Sequence, residues 1–176
     1  MAILEILKLP DPRLKEVAED VVHFDRELHR FVADLEETRQ AGPAAVGIAA
    51  PQAGRWQRII IIDCSTTGKP VPNHGRLILV NPEITDWDGF ALGREGCLSV
   101  PDYTGNVIRA ARIKLRAHDP RGELQAYEME GFEARALQHE VDHLDGILFI
   151  DRLVSRRTDL FQRKVYQKGG NRKKQV

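Results

Sequence analysis

The chain lacks the features that would place it in several large classes. Its 176 residues include only two cysteines, Cys64 and Cys97, which argues against a disulfide framework. Net charge is zero, so the chain as a whole is no electrostatic magnet for nucleic acid or membrane, and neither DNA nor a lipid bilayer is an expected partner. No apolar run is long enough to span a bilayer, and the N-terminal apolar stretch is broken by Glu5 and Lys8, unlike a signal peptide. A soluble, cytoplasmic protein is expected. The length fits one domain over 1–176 with a real hydrophobic core.

What is present starts with the elements. Asp25 reads as the N-cap of a helix carrying Leu28, Phe31, Val32 and Leu35 on one face, ended by Gly42-Pro43. Four consecutive isoleucines within Arg58–Asp63 predict a buried strand. Leu77–Asn81 predicts another, with Pro82 stopping its pairing on one side. Gly89–Ser99 is punctuated by glycine and reads as a strand edge or tight loop. Val107–Ala117 and Leu124–Met129 form a hairpin about the turn Asp119-Pro120-Arg121-Gly122. A helix from about Phe132 to Leu144 buries Leu137, Val141 and Leu144 and stops at Gly146, and Arg156–Lys168 reads as a basic terminal helix. The expectation is an α+β domain of mixed, mostly antiparallel sheets packed around a central helix, with a second helix at the C-terminus.

That central helix carries His139-Glu140-Val141-Asp142-His143. Residues four apart leave one helix face, so both imidazoles can reach one metal ion while Glu140 stands beside it as a base. Two ligands do not make a catalytic site, which takes three plus an open position. Position 149, where one peptidase class has a third histidine, is Phe149, and no glutamate follows Glu140. Asp151 and Asp159 have no supporting pattern. Cys64 reads as a small buried residue. Cys97, in Glu95-Gly96-Cys97-Leu98-Ser99, is the better third ligand, which makes Cys97, His139 and His143 the expected metal set.

With that set in hand, the chain resembles the peptide deformylase family, which removes the N-formyl group from new bacterial-type polypeptides. Three motifs carry the resemblance, in order: Ala45-Val46-Gly47-Ile48-Ala49-Ala50-Pro51-Gln52, Glu95-Gly96-Cys97-Leu98-Ser99 and Gln138-His139-Glu140-Val141-Asp142-His143. The resemblance implies a metal-dependent amide hydrolase that releases formate from formyl-methionyl peptides. It implies Fe²⁺ in the cell, with Zn²⁺, Ni²⁺ or Co²⁺ able to substitute, and it assigns Glu140, the Gln52 side-chain amide and the Leu98 backbone N–H to catalysis. Val46, Gly47 and Ile48 are expected to offer backbone groups to an extended peptide. Phe132, the stem of Arg135 and Ala136 are candidates for the methionine pocket, with Arg94, Glu95 and Gly96 along the same groove. Gln138 and Asp142 are candidates for orienting the ligands, Asp142 equally for an arginine partner.

Two positions depart from the family pattern. Ala45 replaces the usual first glycine, with a methyl group able to narrow the groove, and Thr104 lies where some members carry an arginine near the peptide path. The basic C-terminus, Arg156, Arg157, Arg163, Lys164, Lys168, Arg172, Lys173 and Lys174, reads either as a solvated helix with a disordered tail from about 166 or as an arm docking to ribosomal RNA. Two competing functions are a general endopeptidase and an inactive paralogue that grips N-terminal peptides.

Overall fold

A computed structural model describes residues 2–43, 45–68 and 70–163. The isoleucine strand organises it. Strand β2 (Ile59–Asp63) is buried along its whole length, and its side chains alternate between two cores. Ile60 and Ile62 join Leu79, Ile113, Leu115, Leu137 and Leu144 on one face. Ile59 and Ile61 join Leu28, Val32, Leu35, Ile48 and Val80 on the other. A strand with helices on both faces reads as a continuous apolar run, which explains the four isoleucines.

The helix on the second face is α1 (Arg26–Ala41). The Asp25 carboxylate accepts from the Leu28 N–H at 3.0 Å, and Gly42 ends the helix. The helix on the first face is α2 (Gly131–Leu144), which carries the histidines. Beyond it the chain turns at Gly146, with φ +68° and the Lys15 carbonyl so close that no Cβ fits.

The strands β1 (Gly47–Ala49), β2, β3 (Arg76–Cys97), β4 (Val100–His118) and β5 (Leu124–Glu130) follow one another across one antiparallel sheet. The hairpin turn at Asp119 forms as expected: its carboxylate accepts from the Arg121 and Glu123 N–H groups at 2.8 and 3.0 Å. The region from Leu77 to Ser99 differs. Pairing with β2 stops at Val80, just before Pro82, and Gly89–Cys97 pairs only with β4, so it is a sheet edge as expected; what differs is that both stretches belong to the single 22-residue strand β3. Irregular register between Val80 and Glu83, and again between Ile84 and Asp86, absorbs the proline and lets pairing with β4 resume.

The expected terminal helix is also shorter. Helix α3 covers only Arg156–Asp159, and Leu160–Gln162 is a strand, β6, paired with β4 at Tyr103–Gly105. Gly105 allows this packing, since a Cβ there would collide with Leu153 and Phe149. The lysines and arginines from Lys164 onward lie outside the described residues. Among the described residues, no helix is long and apolar enough to cross a membrane.

Candidate metal centre and cleft

Strand β3 and helix α2 meet where Cys97 faces the two histidines. One donor atom from each of Cys97, His139 and His143 lies within 4.8 Å of the others, and all three residues are buried. The Cys97 sulfur is 3.2 Å from His143 Nε2. One small cation with bonds of about 2.0–2.3 Å can bridge such separations. A thiolate with two imidazoles suits Zn²⁺ and also Fe²⁺, Co²⁺ and Ni²⁺.

Neighbouring groups prepare these donors. His139 Nδ1 is 2.8 Å from Glu95 Oε2, which leaves Nε2 for a cation. The ring also stacks on Phe149, with centroids 6.3 Å apart. Burial opposes ionisation of the Cys97 thiol, but the pull of His143 and His139 outweighs it and holds the thiol well below its ordinary pKa. The Ser99 N–H and the Gln52 amide, 3.3 and 3.4 Å from the sulfur, also favour the thiolate.

Glu95 anchors a buried ion network. Arg109 donates to both of its oxygens at 2.9 Å, and Arg135 Nη1 donates to Oε1 at 2.9 Å. Arg109 also reaches Asp142, which in turn binds Arg152. Burial opposes ionisation of Glu95, but its hydrogen bonds with His139 and Arg109, and their charges, hold the carboxyl far below the usual range. Glu95 therefore orients His139 from the wall of the groove where the sequence placed it, a role the sequence reading did not assign. The clue was available, because alternation along a strand puts Glu95 and Cys97 on one face.

Gln138 departs from expectation as well. Its amide exchanges hydrogen bonds with the Ala110 N–H and carbonyl at 3.0 Å, tying α2 to β4 rather than orienting a ligand. Asp142 takes the arginine-paired alternative.

A cleft of about 440 Å³ opens beside the ligands. Val46, Gly47, Gln52, Arg94, Glu95, Gly96, Cys97, Leu98, Phe132, Arg135, Ala136, His139 and Glu140 all border it, so most of the residues expected at the site come together. His143 lies behind, fully buried, and Ile48 faces the core, leaving only its backbone available at the edge strand β1. Arg135 is fixed by Glu95 and by the Val107 and Ala91 carbonyls. Phe132 is half exposed at the rim. Leu98 begins the two-residue turn between β3 and β4, outside the paired register. Ala45 and Thr104 also line the cleft, and so does Arg163, which the sequence reading had assigned to the basic tail.

Glu140 occupies the floor. It is buried, its Oε2 has no hydrogen-bond partner among the described residues, and burial pushes its carboxyl up to about 7 against the pull of the two imidazoles. A buried carboxylate oxygen without a partner is costly and points to a group that it meets in function. The arrangement is that of a hydrolase site: three convergent metal donors, a base and an amide donor around one opening.

The comparisons agree with this class. The polypeptide deformylase family matches residues 3–159. A peptide deformylase of Alkalilimnicola ehrlichii is 44% identical over 165 residues, covering 94% of this chain and 90% of the relative. Among solved structures, a peptide deformylase from Legionella pneumophila superposes with a TM-score of 0.78 at 40% identity, covering 86% of each chain. One from Thermotoga maritima reaches 0.80 at 36% identity, covering 88% of this chain and all of the other. The chain belongs to the polypeptide deformylase family, enzymes that remove the N-formyl group from nascent peptides.

Proposed function

We propose that the protein hydrolyses the formyl amide of N-formylmethionyl peptides in the cytoplasm, releasing formate, with one divalent ion held by Cys97, His139 and His143. The observation that carries this reading is the unpartnered, buried Glu140 carboxylate beside those three donors. When bound, the ion supplies a Lewis acid that acidifies water and polarises the formyl carbonyl. We expect Fe²⁺ in the cell, with Zn²⁺, Ni²⁺ or Co²⁺ substituting.

The chain's own groups do the rest. Glu140 takes a proton from the attacking water and later gives it to the leaving amine nitrogen. As the carbonyl becomes tetrahedral, the Gln52 amide and the Leu98 N–H bind its oxygen, each donor contributing about 3–4 kcal/mol to the barrier reduction. Edge strand β1 offers the backbone of Val46, Gly47 and Ile48 to an extended peptide. Phe132, Ala136 and the Arg135 stem border the methionine side chain, with Arg94, Glu95 and Gly96 along the groove. The related Acinetobacter baumannii enzyme, 36% identical with a TM-score of 0.79, has been solved with Met-Ala-Ser bound, in keeping with a peptide substrate here.

Formate release from formyl-Met-Ala-Ser by protein loaded anaerobically with Fe²⁺ or Ni²⁺ tests the proposal. We expect turnover by the wild type and its loss in Glu140→Ala and Cys97→Ala. A folded, loaded wild type that releases no formate overturns it. Docking of the C-terminus to ribosomal RNA remains a separate proposal, tested by salt-dependent co-sedimentation with and without the residues after Arg163.

A further inference from the structure

Strand β6 brings an arginine to the cleft. Its pairing with β4 sets Gln162 opposite Tyr103 and Phe161 opposite Thr104. The next residue stays attached, since the Arg163 N–H donates to the Asp102 carbonyl at 2.8 Å. The Arg163 side chain then turns over Gly96, where a Cβ would lie 2.5 Å from its Nη2. Any other residue at 96 would displace the guanidinium from the wall that Cys97 and Glu140 share.

What sets Arg163 apart is that its side chain has no partner among the described residues. Arg39, Arg109 and Arg135, the buried arginines, each hold a carboxylate. Arg94, beside Arg163 in the cleft, is braced at Asn106 and Thr104, 2.9 and 3.2 Å away, and lies 3.5 Å over the Phe161 ring. Among the described residues Arg163 has no ion pair, and its buried Nε has no hydrogen-bond partner. Leaving a buried N–H donor unsatisfied is unfavourable, so an open Nε of this kind at a cleft is explained by the ligand that completes it. A planar fork of N–H donors fits carbonyl and carboxylate oxygens best.

Taking the peptide substrate from the function proposed above, we infer that Arg163 is a substrate-positioning residue: its guanidinium binds a carbonyl or carboxylate oxygen of the peptide beyond the formylated residue. Phe161 and Thr104 hold Arg94 as the second cation of the same wall. The peptide specificity of the cleft then depends on β6 as well as on the strands and helix that build the metal site.

The test compares wild type, Arg163→Met and Arg163→Lys on formyl-Met-Ala-Ser as the free acid and as its C-terminal amide. Arg163→Met is expected to raise KM about tenfold with kcat nearly unchanged, the scale of one hydrogen bond to a charged group. A rise on both peptides identifies a main-chain carbonyl as the ligand, and a rise on the acid alone identifies the carboxylate. Arg163→Lys keeps the charge but not the fork and recovers part of the loss. Affinity for the product Met-Ala-Ser, measured by calorimetry, should weaken in parallel. Unchanged KM and product affinity in both variants overturn the inference, as does a fall in kcat with KM fixed. If Arg163→Met does not fold, Arg163→Lys decides alone: weaker product binding supports the role and equal binding overturns it. Formate release by the wild type judges the proposed reaction, and product binding judges Arg163, so the two can fail separately.

Discussion

Gly47 and Glu140 adjoin with no space between them: a Cβ on residue 47 would lie 2.8 Å from the Glu140 carboxyl carbon and nearer still to Oε1. The edge strand expected to bind peptide therefore also sets the position of the proposed base. Gly47→Ala should push the carboxylate aside while β1 and β2 keep their pairing. A displacement near 1 Å at a reacting group costs about 100-fold. The expected result is a fall of that order in kcat/KM with little change in the urea midpoint. Activity within a few-fold of wild type would show that Glu140 has room to relax.

Glu95 should matter in two measurable ways. Glu95→Gln leaves Arg109 and Arg135 short of a buried counter-charge, and breaking such a pair costs about 3–5 kcal/mol. It also weakens the group that orients His139, a change that typically lowers metal affinity about 10–100-fold. Urea unfolding reads the first effect and competition with a chelating dye reads the second. Loss of stability with unchanged metal affinity would confine Glu95 to the ion network.

The two thiols should separate cleanly. Burial, aided by nearby Glu133 and Asp63, pushes the Cys64 thiol up to about 12. The thiolate is the reactive form, so Cys64 stays protonated and unreactive at pH 8 and would ionise appreciably only towards pH 12. Cys97, held ionised by its imidazole neighbours, should take up a small alkylating reagent. We expect one label per chain, lost in Cys97→Ser and blocked by stoichiometric Zn²⁺ or Ni²⁺. Labelling that is indifferent to divalent metal would remove Cys97 from the ligand set.

What could be read from the sequence followed from periodicity. Asp25 with Leu28, Val32 and Leu35 defined α1, the isoleucines defined β2, and His139 with His143 at one helical turn defined the pairing on α2. The length of β3 was hidden, because Pro82, Gly89, Gly93 and Gly96 are ordinary strand breakers. Their actual tasks are visible only in three dimensions: Gly93 clears the Arg135 guanidinium and Gly96 clears that of Arg163. Strand β6 was hidden for another reason. Leu160-Phe161-Gln162 is too short to show a period, and its order comes from pairing with residues nearly sixty positions earlier. No local signal could have moved Arg163 from the basic tail to the cleft.

Asn81 makes the last prediction. It follows Val80 at the irregularity that carries β3 past Pro82, and its φ is +51°, a left-handed conformation that asparagine tolerates better than most residues. Its side chain also pairs with the chain leading to α1, accepting from the Val21 N–H at 2.8 Å and donating to the Val21 carbonyl at 2.9 Å. Alanine loses both hydrogen bonds and meets the steric cost of positive φ, together about 2–4 kcal/mol. Glycine loses only the hydrogen bonds, so Asn81→Gly should unfold between Asn81→Ala and wild type. Equal destabilisation by the two substitutions would assign the whole effect to Val21, and a glycine as stable as wild type would assign it to the backbone turn. In either case the metal affinity should be unchanged, because the long β3–β4 pairing from Trp87 to Gly96 lies between Asn81 and Cys97.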